Sequence, residues 1–361
     1  MRMPPRMERR WRMDKKIVSF VKFAKLMVKI RSIPRGKIKN KWLAQIALAF
    51  LILQLPPCDN WGDYGQDVAL ETRFQRFDQA FFETDTARFQ KELAGLKERF
   101  PVFFLNDGTD KFWYQQRTDP RQLKLYNAVQ EELGALQAEN ERLNQAMKRY
   151  YYHFGTRDTL QVYGYISNLD FDYPVLYADS LLFVGLDLYL GKDAPYYRTM
   201  PRYLAYKRVP RFLVRDVMAT LAREEAPDLA ADPTLLEAMI HHGKRYYLLQ
   251  ELMPELSEAD LLQYSPSKLD YAREHETDMW NFFIEQEMLY RRGNRVLRRF
   301  IEVAPFSKFR TKRDRKTPGR IGHWYGYKIV TAYMDQHPET PMDQLLRLDA
   351  REIFRKGGYK P

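Results

Sequence analysis

The chain has 361 residues, 45% of them hydrophobic and 14% aromatic, enough apolar material for a sizeable core, which excludes disorder as the main state. Its net charge of +12 comes from the front: residues 1–57 carry 15 Lys and Arg, Arg2 through Lys41, against Glu8 and Asp14, so the rest is nearly neutral and lacks a global basic field for nucleic acid. A single cysteine, Cys58, excludes a disulfide framework and any zinc or iron–sulfur centre built on several thiolates.

Trp42–Leu55 reads WLAQIALAFLILQL, interrupted only by Gln45 and Gln54 and preceded by Arg35, Lys37, Lys39 and Lys41. Fourteen residues are short for a membrane-crossing helix, which needs about 20, and suit the apolar core of an export signal. Cys58 follows at Leu55-Pro56-Pro57-Cys58, where a bacterial lipoprotein is acylated; Pro56-Pro57 is unusual there, and the other reading is a lone spacer cysteine behind an uncleaved anchor. Residues 1–57 are therefore expected to be a basic extension plus a lipoprotein-type signal peptide. Residues 58–361 are expected to form a single envelope domain.

Within that domain, Phe74, Phe77, Phe81, Phe82, Phe89, Leu93 and Leu96 fall at mostly helical spacings and predict two amphipathic helices over Val68–Phe100. Gln122–Tyr151, with Leu125, Val129, Leu133, Leu136, Leu143 and Met147, predicts one long helix. After this helical front (68–151), a sheet and helix body is expected over 160–361. LQVYGYISN from Leu160 and the Tyr, Val and Leu runs of 173–191 read as strands. Helices are predicted at Val209–Glu225, Pro233–Glu251, Asp278–Arg291 and Gly319–Gln336. The expected fold class is α+β, mainly helical, with a small antiparallel sheet packed against helices.

The six histidines, 153, 241, 242, 275, 323 and 337, include no pair four apart, so the two ligands of a zinc-protease helix are missing, and His275-Glu276 has Met279 where the second would stand. His241 and His242 are adjacent, about 100° apart on a helix, and cannot easily share one metal. No nucleophile elbow, Walker loop or dinucleotide fingerprint is present. Asp170, Asp172, Asp179, Asp187 and Asp193 read as turn formers or solvated edge residues rather than a cation site. No metal, cofactor or catalytic residue is expected.

The densest stretch is Ala304–Met334, where Lys308–Lys316 carries six basic residues and Gly322 and Gly326 stand four apart beside Arg320, His323, Trp324 and Tyr325. This segment reads either as a tight helix-packing seam or as a groove wall. The candidate binding surface is His241, His242, Glu276, Arg320, His323, Trp324 and Tyr325. An envelope hydrolase would need His241, Glu276 and His323 to converge, and a peptidoglycan or polysaccharide binder would need exposed Trp and Tyr.

The order and spacing of several segments resemble the GldB gliding-motility lipoproteins of Bacteroidota. They are Arg73-Phe74 with Phe77-Asp78, Phe103-Phe104, Asp170–Leu190, Met239-Ile240 with Gly243-Lys244, Met279-Trp280 with Phe283 and Glu285, Ala304-Pro305-Phe306-Ser307, Pro318-Gly319-Arg320-Ile321-Gly322, and Tyr359-Lys360-Pro361. The resemblance implies a lipoprotein lipidated at Cys58 and anchored in the envelope, with protein partners in the gliding and type IX secretion apparatus and no known catalysis. It further implies a distant likeness to zincin peptidases in which Arg215, Asp216 and Ala219 occupy the metal-helix positions, a pseudo-peptidase without its metal set.

Overall fold

The computed structural model describes residues 71–105, 108–155 and 159–361, so the basic extension, the apolar run and Cys58 lie outside the described residues. In chain order the elements are β1 Phe74–Arg76, α1 Phe77–Phe82, α2 Phe89–Arg99, α3 Asp110–Thr118, α4 Pro120–Leu133, α5 Gln137–Phe154, β2 Gln161–Tyr165, β3 Val175–Ala178 and β4 Leu181–Gly185. There follow α6 Arg202–Ala205, α7 Leu213–Glu225, α8 Leu235–Leu252, α9 Glu258–Leu262, α10 Pro266–Glu274, α11 Glu276–Glu285, α12 Asn294–Phe300, α13 Ile321–Gln336, α14 Met342–Arg347 and α15 Ala350–Gly357. The fold is α+β and mainly helical around one small sheet.

That sheet is mixed rather than antiparallel, in the order β1-β2-β4-β3, with β1 parallel to β2 and β2 parallel to β4. Five helices carry the chain from β1 back to the same end of β2, which makes parallel pairing the natural outcome. Only β3 and β4 are joined tightly enough for a hairpin, through Asp179 at φ 54° and Ser180.

The two-residue alternation of the strands divides the interior. Val162, Leu182, Val184 and Val175 enter a main core with most of the later helices. Tyr163, Tyr165, Phe183 and Leu176 enter an aromatic cluster with Phe77, Phe81, Phe82, Phe100 and Phe103.

Three boundaries differ from the periodicity: the helix expected over Asp278–Arg291 is α11 and ends at Glu285, and two others lie at the front of the chain. Phe74 is in a strand, and its backbone N–H is held by the Asn140 side chain at 2.8 Å. The predicted long helix is two helices, α4 and α5, broken where Gly134 and Leu136 take positive φ angles of 52° and 56°. The break is fastened to β1: Arg76 donates to the Gly134 carbonyl at 2.6 Å and pairs with buried Asp78 at 2.7 Å, which joins the Arg73–Asp78 segment to the turn.

Candidate functional site

Two helices organise the body. Thr234 and Glu237 form a reciprocal capping box that starts α8, and α8 is buried on nearly every face, as is α13. They approach until their backbones touch. A Cβ on Gly326 would lie 1.7 Å from the Met239 carbonyl oxygen, and one on Gly243 would lie 2.1 Å from the Gly326 carbonyl oxygen. Of the two readings of the Gly322–Gly326 spacing, this is the seam, and Gly243 is its partner across the interface.

The start of α13 is set by the two segments that precede it. Ser307, fully buried, donates from its hydroxyl to the Pro318 carbonyl at 2.8 Å and accepts from the Ile321 N–H at 3.0 Å, while Thr317 donates to the Ser307 carbonyl at 3.0 Å. A Cβ on Gly319 would meet the Ala304 carbonyl oxygen at 1.9 Å. Ala304–Ser307 and Thr317–Arg320 are thus clamped together, and the basic stretch 308–316 is an excursion between them. Arg320 holds φ at 58°, a left-handed conformation rare for a side chain with a Cβ.

The clamp and the seam bring His242, His323, Arg320 and Tyr246 together. The rings of His242 and His323 stack with centroids 3.8 Å apart, and the Tyr246 hydroxyl lies 3.4 Å from both His323 Nδ1 and Arg320 Nη1. Burial pushes both imidazoles well below the ordinary histidine range, and the neighbouring His and Arg charges add to it. His241, on the adjacent face, is pushed down to about 4 by burial and by Arg245 and Lys244. All three are therefore neutral at pH 7. His323 Nε2 is buried without a hydrogen-bond partner.

Next to this group, Asp216 accepts from Arg215 at 2.8 Å, from Gln263 at 2.9 Å and from the Tyr189 hydroxyl at 3.1 Å, while Arg215 also donates to the Leu261 carbonyl at 2.7 Å. The α7 positions compared with a metal helix hold a buried ion pair. Among the described residues no three of His, Cys, Asp and Glu stand close enough to hold a metal ion.

Glu276 does not join the histidines. It pairs with Lys328 at 3.1 Å, accepts from the Tyr359 hydroxyl, and its backbone carbonyl accepts from Tyr325 at 2.7 Å. Lys328 and Tyr325 project from α13 about 140° and 200° away from His323, so Glu276 belongs to a different face. Trp324 and Tyr325 are fully buried, and Trp324 Nε1 donates to Glu258 at 2.6 Å. Those two rings are core and cannot stack on a sugar, which corrects the exposed-aromatic expectation.

Asp187, also buried, accepts from the Ser167 and Leu169 N–H groups at 2.7 Å each, and so fixes the loop after β2. That is the turn role expected of the aspartates in this region. The sequence reading did not single out Gly243 as the seam's second half, Tyr246, Gln263 or Lys207. Of these only Gly243 carried a signal, a glycine inside a strongly helical segment.

The profile of the family described as gliding motility protein GldB matches residues 59–361. The chain belongs to the GldB family. No curated protein and no solved structure matches it. Membership assigns this GldB-family chain to gliding motility and, through the family's lipoprotein character, to the cell envelope. Among its described residues no helix is long and apolar enough to cross a membrane.

Proposed function

We propose that this GldB-family protein is a lipid-anchored, periplasm-facing component that supports gliding and the linked type IX secretion machinery by a structural, non-catalytic role. The observation that carries this reading is a junction: the family match begins at residue 59, directly behind the only cysteine, which itself follows a basic stretch and a fourteen-residue apolar run. A lipid on Cys58 would hold the whole matched body at a membrane surface. The non-catalytic part is supported by His242 and His323, whose neutral rings stack on one another, and by Glu276, whose contacts lie on another face of α13. An acid–base pair needs a proton donor and acceptor aimed at one point.

The test is a clean deletion strain complemented with the wild-type gene and with Cys58→Ala, scored for single-cell gliding and for secretion of a reporter effector. Loss of both in the deletion, restored by wild type and not by Cys58→Ala, is the expected result. Normal gliding and secretion in the deletion strain would overturn the proposal.

A further inference from the structure

Beside the α13 start lies a cavity of about 250 Å³ whose walls carry Arg202, Lys207, Lys268 and Arg320 and no Asp or Glu. None of the four pairs with a carboxylate. Lys268 donates to the Thr317 carbonyl at 2.8 Å, and Arg320 to the Leu262 carbonyl at 3.2 Å and the Tyr246 hydroxyl. The half-buried Lys207 ammonium makes no hydrogen bond or ion pair among the described residues, and neither does the exposed Arg202 guanidinium. Asp216, whose charge acts on Lys207, is already hydrogen-bonded by Arg215, Gln263 and Tyr189. Lys207, Lys268 and Arg320 are half-buried and Arg202 is exposed, so like charges crowd a partly desolvated cavity, a cost that an entering anion would relieve. Burial and the charges of Arg320 and Arg215 lower the proton affinity of Lys207 well below the ordinary lysine range, and the charge of Asp216 offsets them only in part.

We propose that this cavity is a binding site for a small phosphomonoester-type dianion, held by Lys207 and Arg320 with Arg202 and Lys268 at its rim. Four cations exceed what one carboxylate balances, whereas a phosphomonoester carries about −1.5 to −2 charges and three acceptor oxygens. Arg320 supplies a planar fork suited to that geometry. Arg320 lines the cavity from the residue that starts α13. The same chemistry is offered by a free phosphate ester and by a phosphomonoester lipid headgroup. The site is independent of the motility role proposed above.

The full-length chain in neutral detergent is titrated with inorganic phosphate at constant ionic strength, with chloride as reference, and separately with detergent micelles containing phosphatidic acid or phosphatidylcholine. A saturable rise in Tm of about 3 °C or more is expected with phosphate and not with chloride. Lys207→Met should abolish that rise while leaving the ligand-free Tm equal or higher, because it removes a half-buried charge crowded by Arg320 and Arg215; a purely structural lysine would lower it. Arg202→Met should weaken the response, and Lys312→Met, in the exposed basic stretch, should retain it. A response confined to phosphatidic acid micelles and lost in Lys207→Met supports the site with a lipid headgroup as its source. Overturning results are no response to either form, or a response that survives in Lys207→Met. Isothermal titration of the wild type with phosphate decides the matter if Lys207→Met does not fold.

Discussion

On one face of the sheet, Phe77 and Phe103 stack with ring centroids 3.7 Å apart, and Phe100, Tyr163 and Phe183 close around them edge-on. On the other face, α8 and α13 meet at Gly243 and Gly326 with no side chain between their backbones. The first core is filled by large rings whose shapes can adjust against one another. The second is made by removing side chains, and its tolerance is nearly zero, because a carbonyl of one helix occupies the space a Cβ on the other would need. The difference teaches where this protein is brittle: at its smallest residues rather than its largest.

The sharpest way to break the comparison is Gly326→Ala. A single methyl placed 1.7 Å from the Met239 carbonyl oxygen must push the helices apart, and the expected outcome is loss of about 4 kcal/mol or more, read as absence of a cooperative urea transition. Phe100→Ala, in the aromatic cluster, should cost about 3–5 kcal/mol and leave a folded protein with a lower urea midpoint. Hydrogen exchange would locate the damage: accelerated amides in α1, α2 and β2 with α8 and α13 still protected. Equal destabilisation of both regions would show that the two cores unfold as one.

The smallest effect is a pH dependence to which the seam histidines contribute most, with His153 of α5 also held low by burial. His241, His242 and His323 take up protons less readily when folded than when unfolded, chiefly because they are buried. The unfolded chain therefore binds more protons as pH falls below the ordinary histidine value of about 6.5, and the stabilisation present above that pH is lost toward pH 4. The urea midpoint should fall steadily between pH 6.5 and 4.5. His323→Gln should flatten that fall by about one proton's contribution, whereas a slope unchanged by the substitution would remove His323 from the account.

Much of the fold was legible. The aromatic spacing of 74–100 identified the helical front, and the starts and ends of α8 and α13 lie within two residues of their periodic patterns. Other features were hidden for definite reasons. β1 is three residues long, sits inside a string of phenylalanines at helical spacing, and pairs with a strand whose register lies 88 residues away, Phe74 against Val162. The break between α4 and α5 rests on Leu136 adopting a positive φ, which a leucine does only when its surroundings impose it. Trp324 and Tyr325 could be read as surface because nothing in a helix's own sequence says how many of its sides will be covered.

The chain by itself determined the neutral body behind a basic front, the position of Cys58, the helix-rich α+β class and the glycine spacing of α13, since these depend on composition and on contacts between near neighbours. Only the tertiary structure decided that Gly326 finds Gly243, that His242 stacks on His323, that Glu276 turns away from both, and that Lys207 and Arg320 wall one cavity without a carboxylate. Those juxtapositions join residues up to 113 positions apart, Lys207 and Arg320 among them, and they follow from which helix faces are buried together. Local propensity carries no information about that choice, which is made by the packing of the whole core.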